Sequence, residues 1–232
     1  DEKHRLIVNT DVVNQSVDAN QLSSQAQQAK DTLDKEPNNI CADNGYYSID
    51  DIETMDARIN VIIPSCGQLI KERTPDKIKP FPKDVFTYDD TRDCYICPES
   101  KELRRTDLTI PDRPNAIIYQ AHGYDCKSCK HFGACTPSVS GRKIIRQRNE
   151  ALMQRLAQAY DSDTGQRIYK LRKQKAELPF AHFKHNMNIR QLLLRGIAKA
   201  GAELNLCAIG YNLIRMIGLL GVTGLKEAII AV

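Results

Sequence analysis

The sequence predicts an α/β fold whose core is interrupted by an insert and followed by a helical C-terminal region. Three observations carry this. Between residues 40 and 64 a short apolar run, a capped helical stretch and a second apolar run follow one another, which is the rhythm of a parallel sheet. Residues 67–140 lose that rhythm and carry prolines, charged stretches and five of the eight cysteines. From Lys143 onward, apolar residues recur at helical spacing. The expected organisation is a first part of the core over 1–66, a cysteine-rich insert over 67–140, and a helical remainder of the core over 141–232. A chain of 232 residues can bury one sizeable core with such an elaboration.

Each element has a local reason. His4 to Val13 holds Ile7, Val8, Thr10, Val12 and Val13, a β-branched run that reads as a strand. Asn20 to Leu33 reads as a helix burying Leu22, Ala26 and Ala29, and Pro37-Asn-Asn ends it. The strand Ile40–Ala42 follows, broken by Asp43-Asn-Gly45, with Gly45 making the turn. Ser48 with Asp51 offers an N-cap for a helix over 49–57. Ile59 to Pro64 is a continuous apolar run, as in a strand covered on both faces. In the C-terminal third, Ile144, Ile145, Leu152, Leu156 and Tyr160 suggest a helix, and Asp161 to Gly165 a turn. Gln166 to His185 reads as a basic helix interrupted at Pro179. Asn188 to Leu219 reads as a long helix packed on the core. The apolar end from Leu206 to Val232 is broken by Asn212, Arg215, Lys226 and Glu227 and punctuated by Gly218, Gly221 and Gly224, so a buried helix with a loose tail is expected rather than a membrane span.

Charge is uneven. Residues 1–65 hold twelve acids against five bases, and residues 142–190 hold twelve bases against four acids. The basic half fits a phosphate-backbone partner, and a solvated helical face accounts for it equally. The chain opens on Asp1 without a leader and reads as a fragment. Eight cysteines without a secretory signal point to thiols or metal ligands in a reducing cytoplasm.

Two stretches carry candidate chemistry. In the basic helix, Glu177 is a lone acid, and Lys184 lies about 10 Å further along the same face. This is either a solvated helix with i,i+4 pairs or a metal-binding carboxylate beside a surface that holds a polyanion. Asp43 is either a turn residue before Gly45 or an aspartate delivered to a strand's C-terminal edge. His182 and His185 lack a carboxylate at useful spacing and are read as DNA-facing or surface residues. Cys94-x-x-Cys97 and Cys126-x-x-Cys129, with Cys135 beyond, have the spacing of a tetrahedral Zn²⁺ site, five candidates for four places, with His122 and His131 as substitutes. Free loop thiols are the alternative. Cys41, Cys66 and Cys207 sit in apolar settings and read as packed.

Asp43-Asn-Gly-Tyr-Tyr-Ser, followed by Tyr169-x-x-Arg172-x4-Glu177-x-Pro-Phe and Lys184, resembles the DDE transposases of bacterial insertion sequences. The likeness continues through Leu193-Leu-Leu-Arg-Gly196 and Ala208-Ile-Gly-Tyr-Asn212-Leu, includes the opening Asp1 to Val8, and so spans nearly the whole chain. It implies a ribonuclease-H-like core and Mg²⁺- or Mn²⁺-dependent cleavage and transfer of DNA at transposon ends, in the bacterial cytoplasm at the nucleoid. Asp43 and Glu177 would be the second and third acids of the triad. The first has no convincing match, Asp1 and Asp11 being substitutes by position only, so the chain is expected to be inactive alone. Tyr169, Arg172 and Lys184 would bind DNA, and a homodimer is compatible. The resemblance also favours Cys97, Cys126, Cys129 and Cys135 as the zinc set, with Cys94 as the alternative. The rival is a DNA-binding remnant, without chemistry, that competes with an intact transposase.

Overall fold

Strands β1 (Asn39–Cys41) and β2 (Asn60–Ile62) run parallel, with Ile40 opposite Val61 and Cys41 opposite Ile62. The computed structural model describes residues 1, 3–74, 80–111 and 116–230, and no side chain is described for Lys173. The chain divides into two units, Asp1–Ser65 with Arg155–Val232, and Cys66–Gln154.

In the first unit, helix α1 (Leu22–Leu33) precedes β1, and a 3-10 turn (Asn44–Tyr46) and helix α2 (Ile49–Glu53) connect β1 to β2. Val61, Ile62 and Ile63 are buried, as a continuous apolar run requires. The Ser48 hydroxyl caps α2 by accepting from the Asp51 N–H. Asp51 caps a second helix. Its carboxylate accepts from the backbone N–H of Leu22 (2.9 Å) and Ser23 (3.2 Å) and from the Ser23 hydroxyl. This serves the start of α1, where Gln21 offers no side-chain cap. After the excursion to the second unit come α5 (Glu150–Asp161), α6 (Asp163–Arg172), a π-helical turn (Lys173–Glu177), α7 (Leu178–His185) and α8 (Ile197–Ile230). Leu156 and Tyr160 are buried, and the Tyr160 ring meets Tyr169 edge-on at 5.0 Å, which ties α5 to α6.

The second unit is an antiparallel meander of β3 (Thr87–Asp89), β4 (Cys94–Ile96), β5 (Glu102–Arg105), β6 (Ile117–Ala121) and β7 (Lys143–Arg146), in that order. Helix α3 (Cys66–Arg73) precedes the sheet, and α4 (Gly123–Lys127) lies between β6 and β7. Phe86, Tyr95, Leu103, Tyr119, Ala121 and Ile144 form its core. The Tyr88 hydroxyl donates to Asp93 at 2.7 Å, and Tyr119 donates to the same carboxylate.

Several local expectations are corrected. His4–Val13 forms no strand. Its backbone is met by side chains of α8: the Ile7 N–H donates to Asn212 Oδ1 and the Asn212 amide donates back to the Ile7 carbonyl, both at 2.8 Å. Arg215 likewise donates to the His4 carbonyl. A side-chain amide offers both donor and acceptor, so it satisfies an extended residue as a neighbouring strand would. Ile144 and Ile145 belong to β7, because alternation decided over a run too short to show helical period. The turn expected over 161–165 is a one-residue break at Ser162, with α6 starting at Asp163. Asn188–Gly196 is not helical, and Asn188 and Gly196 both take positive φ.

The C-terminal segment is not a buried helix. Cys207, Ala208, Tyr211 and Leu225 are buried, whereas Leu206, Ile209, Leu213, Leu220, Val222 and Ile230 are exposed. Gly221 breaks the helical backbone at φ 70°. Among the described residues α8 is one helix long and apolar enough to cross a membrane, by length and composition only. Ala231 and Val232, part of the expected apolar segment, lie outside the described residues. Cys66 is exposed rather than packed.

The double capping role of Asp51 gives a direct test. Asp51→Ala strands the amides of Leu22 and Ser23, and should cost about 1–3 kcal/mol in urea unfolding. A loss under about 0.3 kcal/mol would show that water serves those amides equally well.

Candidate functional site

Asp43 lies just past the C-terminal end of β1, with extended backbone. Its two carboxylate oxygens have separate partners. Oδ1 accepts from the Gly45 N–H at 2.9 Å, closing the turn, and Oδ2 lies 3.6 Å from Arg172 Nη1. The turn reading and the site reading of Asp43 are thus compatible. Glycine at 45 gives the carboxylate room, since a Cβ there would stand 3.0 Å from Oδ1.

Arg172 ends α6, which packs on β1 and β2. Its guanidinium also lies 3.9 Å from Glu177 Oε1 and 5.4 Å from the Tyr169 ring centroid. Arg172 and Glu177 are five residues apart. In an α-helix, five residues turn about 500°, which would leave the two side chains roughly 140° apart. The π-helical turn over Lys173–Glu177 closes i→i+5 and sets them one above the other. Pro179 gives the reason for a wide turn here. It lacks an N–H, and in a continuous α-helix its ring would crowd the Lys175 carbonyl; instead it sits in the first turn of α7.

Burial and charge set the surroundings. The Arg172 side chain is 18% exposed, against 43% for Asp43 and 60% for Glu177. Burial pushes the Cys41 thiol up to about 11, and the nearby Arg172 charge works against that rise. Burial likewise raises the Tyr169 phenol. Asp43, Tyr169, Arg172 and Glu177 are therefore brought together. Lys184 is exposed on α7. His182 is not a surface residue: it packs edge-on against Tyr211 at 5.2 Å with Nε2 buried, while His185 is exposed. Among the described residues no group of three or more His, Cys, Asp or Glu is arranged to hold a metal ion. Asp1 receives the N–H groups of His4 and Leu6, and Asp11 the Gln25 amide; neither joins the pair.

Cys97, Cys126, Cys129 and Cys135 line one cavity of about 370 Å³ in the second unit, with His131 and Arg142. Cys94 is not in its lining and is 2% exposed. Three of the sulfurs accept backbone N–H groups: Cys97 from Lys101 (3.3 Å), Cys129 from His131 (3.4 Å) and Cys126 from Arg142 (3.4 Å). Burial raises the Cys135 thiol; the Arg142 charge opposes this, and the other three thiols add to it. His131 faces Glu99 at 3.3 Å, and His122 precedes α4 outside the lining. Sequence reading missed Arg142, whose guanidinium donates to the carbonyls of Cys135 and Phe81, both at 2.9 Å. The preceding Gly141, at φ 99° and with room for no Cβ against the Ala121 carbonyl, was the available signal.

A family model described as "Transposase DDE domain" matches residues 96–217, just over half of the chain. The chain belongs to the DDE transposase family. No curated protein and no solved structure matches it. The transposase match includes Tyr169, Arg172, Glu177, Lys184 and the four cavity cysteines, while Asp43 and Cys94 lie before it. DDE transposase domains act on DNA and generally use divalent metal ions.

Proposed function

We propose that this chain is the part of a bacterial insertion-sequence transposase that holds Mg²⁺ or Mn²⁺ at Asp43 and Glu177 and the DNA backbone beside them, in the cytoplasm at the nucleoid. The observation that carries this is the convergence of those two acids, distant in sequence, on the Arg172 guanidinium. An aspartate at the end of a parallel strand and a glutamate on the turn that follows a helix packed on the same sheet also support a ribonuclease-H-like core. The donors suit the ions: both are carboxylates, both are open to solvent, and hard cations take oxygen while keeping several waters. When bound, such ions activate the attacking oxygen and stabilise the leaving one in an in-line phosphoryl transfer. Arg172 would fork a phosphate, Lys184 would add a point charge, and the Tyr169 ring would back the guanidinium.

Two acids converge among the described residues, where the DDE reaction uses three. That favours a second reading for the chain by itself: it binds metal and DNA without cutting, and would compete with an intact transposase. Incubated with end-containing duplex and Mg²⁺ or Mn²⁺, the chain should leave the DNA whole. Its Mn²⁺ affinity should fall about tenfold or more in Asp43→Asn and Glu177→Gln, each of which removes a charged ligand. Robust nicking abolished by Glu177→Ala would make the chain an enzyme. Unchanged Mn²⁺ affinity in both variants would remove these acids from the site.

For the cysteine cavity we propose a structural Zn²⁺ held by Cys97, Cys126, Cys129 and Cys135. Support comes from four soft donors sharing one cavity and from the three N–H···S contacts, which hold sulfurs of that cavity in fixed orientations. Elemental analysis should find stoichiometric zinc in the purified chain. Cys129→Ser should lose it and Cys94→Ser keep it, with Co²⁺ giving thiolate charge-transfer absorption in the parent. Zinc retained by Cys129→Ser would leave these cysteines as free thiols.

A further inference from the structure

Arg172 stands where cations would be expected, between two carboxylates, yet it is poorly served there. A charge-assisted N–H···O bond runs at about 2.7–2.9 Å, and a guanidinium meeting a carboxylate in register makes two of them. The Tyr169 phenol hydrogen-bonds the guanidinium, but the guanidinium's approaches to the two acids are 3.6 and 3.9 Å, too long for hydrogen bonds, and each terminal nitrogen faces a different acid. The Nε atom is buried and has no hydrogen-bond partner. The side chain is mostly buried, whereas Asp43 is partly and Glu177 mostly open to water. A buried guanidinium with unmade bonds is costly unless an acceptor arrives, and a phosphate offers planar, bidentate acceptance.

We infer that Arg172 is a placeholder cation: without metal it balances Asp43 and Glu177, and when divalent metal enters it exchanges those acids for a phosphate of DNA. This rests on the proposed metal site and adds a positioning role to it. The π-helical turn matters because it puts Glu177 on the same side as Arg172, so that one guanidinium reaches both acids. With the guanidinium in place the acids are held near each other without mutual repulsion; metal then competes with a weakly bonded partner rather than a strong one. By linkage, metal and phosphate favour each other, because each frees what the other needs.

The test is Mn²⁺ binding to the full chain without DNA, read as the loss of the free Mn²⁺ electron paramagnetic resonance signal at low salt. Removing a competing unit charge at about 4 Å should tighten Mn²⁺ binding in Arg172→Gln roughly three- to tenfold. A merely structural arginine would do the opposite. Arg172→Lys guards against misfolding: it keeps a charge but cannot reach both acids, and should tighten binding by less. In parallel, Ca²⁺ should raise the affinity of the parent for a short duplex more than it raises that of Arg172→Gln. Equal or weaker Mn²⁺ binding in folded Arg172→Gln and Arg172→Lys overturns the placeholder role while leaving the metal site standing. If Asp43→Asn and Glu177→Gln leave the parent's Mn²⁺ affinity untouched, the metal site itself falls, and the placeholder with it.

Discussion

One guanidinium and the helical turn that aligns it organise the first unit. Arg172 is delivered by α6, Asp43 by the end of β1, and Glu177 by the widened turn that follows Arg172. Remove the extra width and Glu177 would swing about 140° around the helix, out of reach of the other two. The packing of α6 on β1 and β2, the Tyr160–Tyr169 contact and the Pro179 helix start all fix the position of that turn. A π-turn inside an α-helix is unfavourable by itself, and such turns gather at functional sites. Here the consequence is geometric: a five-residue spacing becomes a shared face.

The second unit answers a different constraint. Its sheet carries a compact aromatic core, but the cysteine-lined cavity at one end is formed largely by loops. Arg142 ties Cys135 and Phe81 together through their carbonyls while its own backbone N–H reaches the Cys126 sulfur. This arrangement fixes the loop that carries Cys135 against the sheet and gives the Cys126 sulfur a donor. Cys94 shows the complementary case. At the first position of β4 it is buried and packs as a small hydrophobe, although its spacing to Cys97 matches that of a ligand pair.

Local signals in the sequence were legible where one residue decides. Ser48 capped α2, the apolar run at 59–64 became β2, and Asp43 ended its strand. Signals that need a partner were not. The β-branched run at His4–Val13 has strand chemistry, but its backbone bonds went to the Asn212 amide, a choice invisible without the third dimension. The same holds for Asp51, which looked like part of one cap and serves two helices. Apolar content in α8 predicted burial, yet much of that helix faces outward, because hydrophobicity says that a surface wants cover and not where the cover is. The π-turn was marked only by the Pro179 interruption, which signals a break without fixing its kind.

The central claim is that Asp43 and Glu177 share one metal ion, and its most direct measurement is metal-directed cleavage of the polypeptide. Fe²⁺ with ascorbate and peroxide, added to the chain, generates hydroxyl radicals that cut backbone close to the bound ion. The account predicts cuts clustered near residue 43 and near residue 177 in the same molecules, both suppressed by excess Mg²⁺. Cuts at one of these places alone, or at neither, would contradict it.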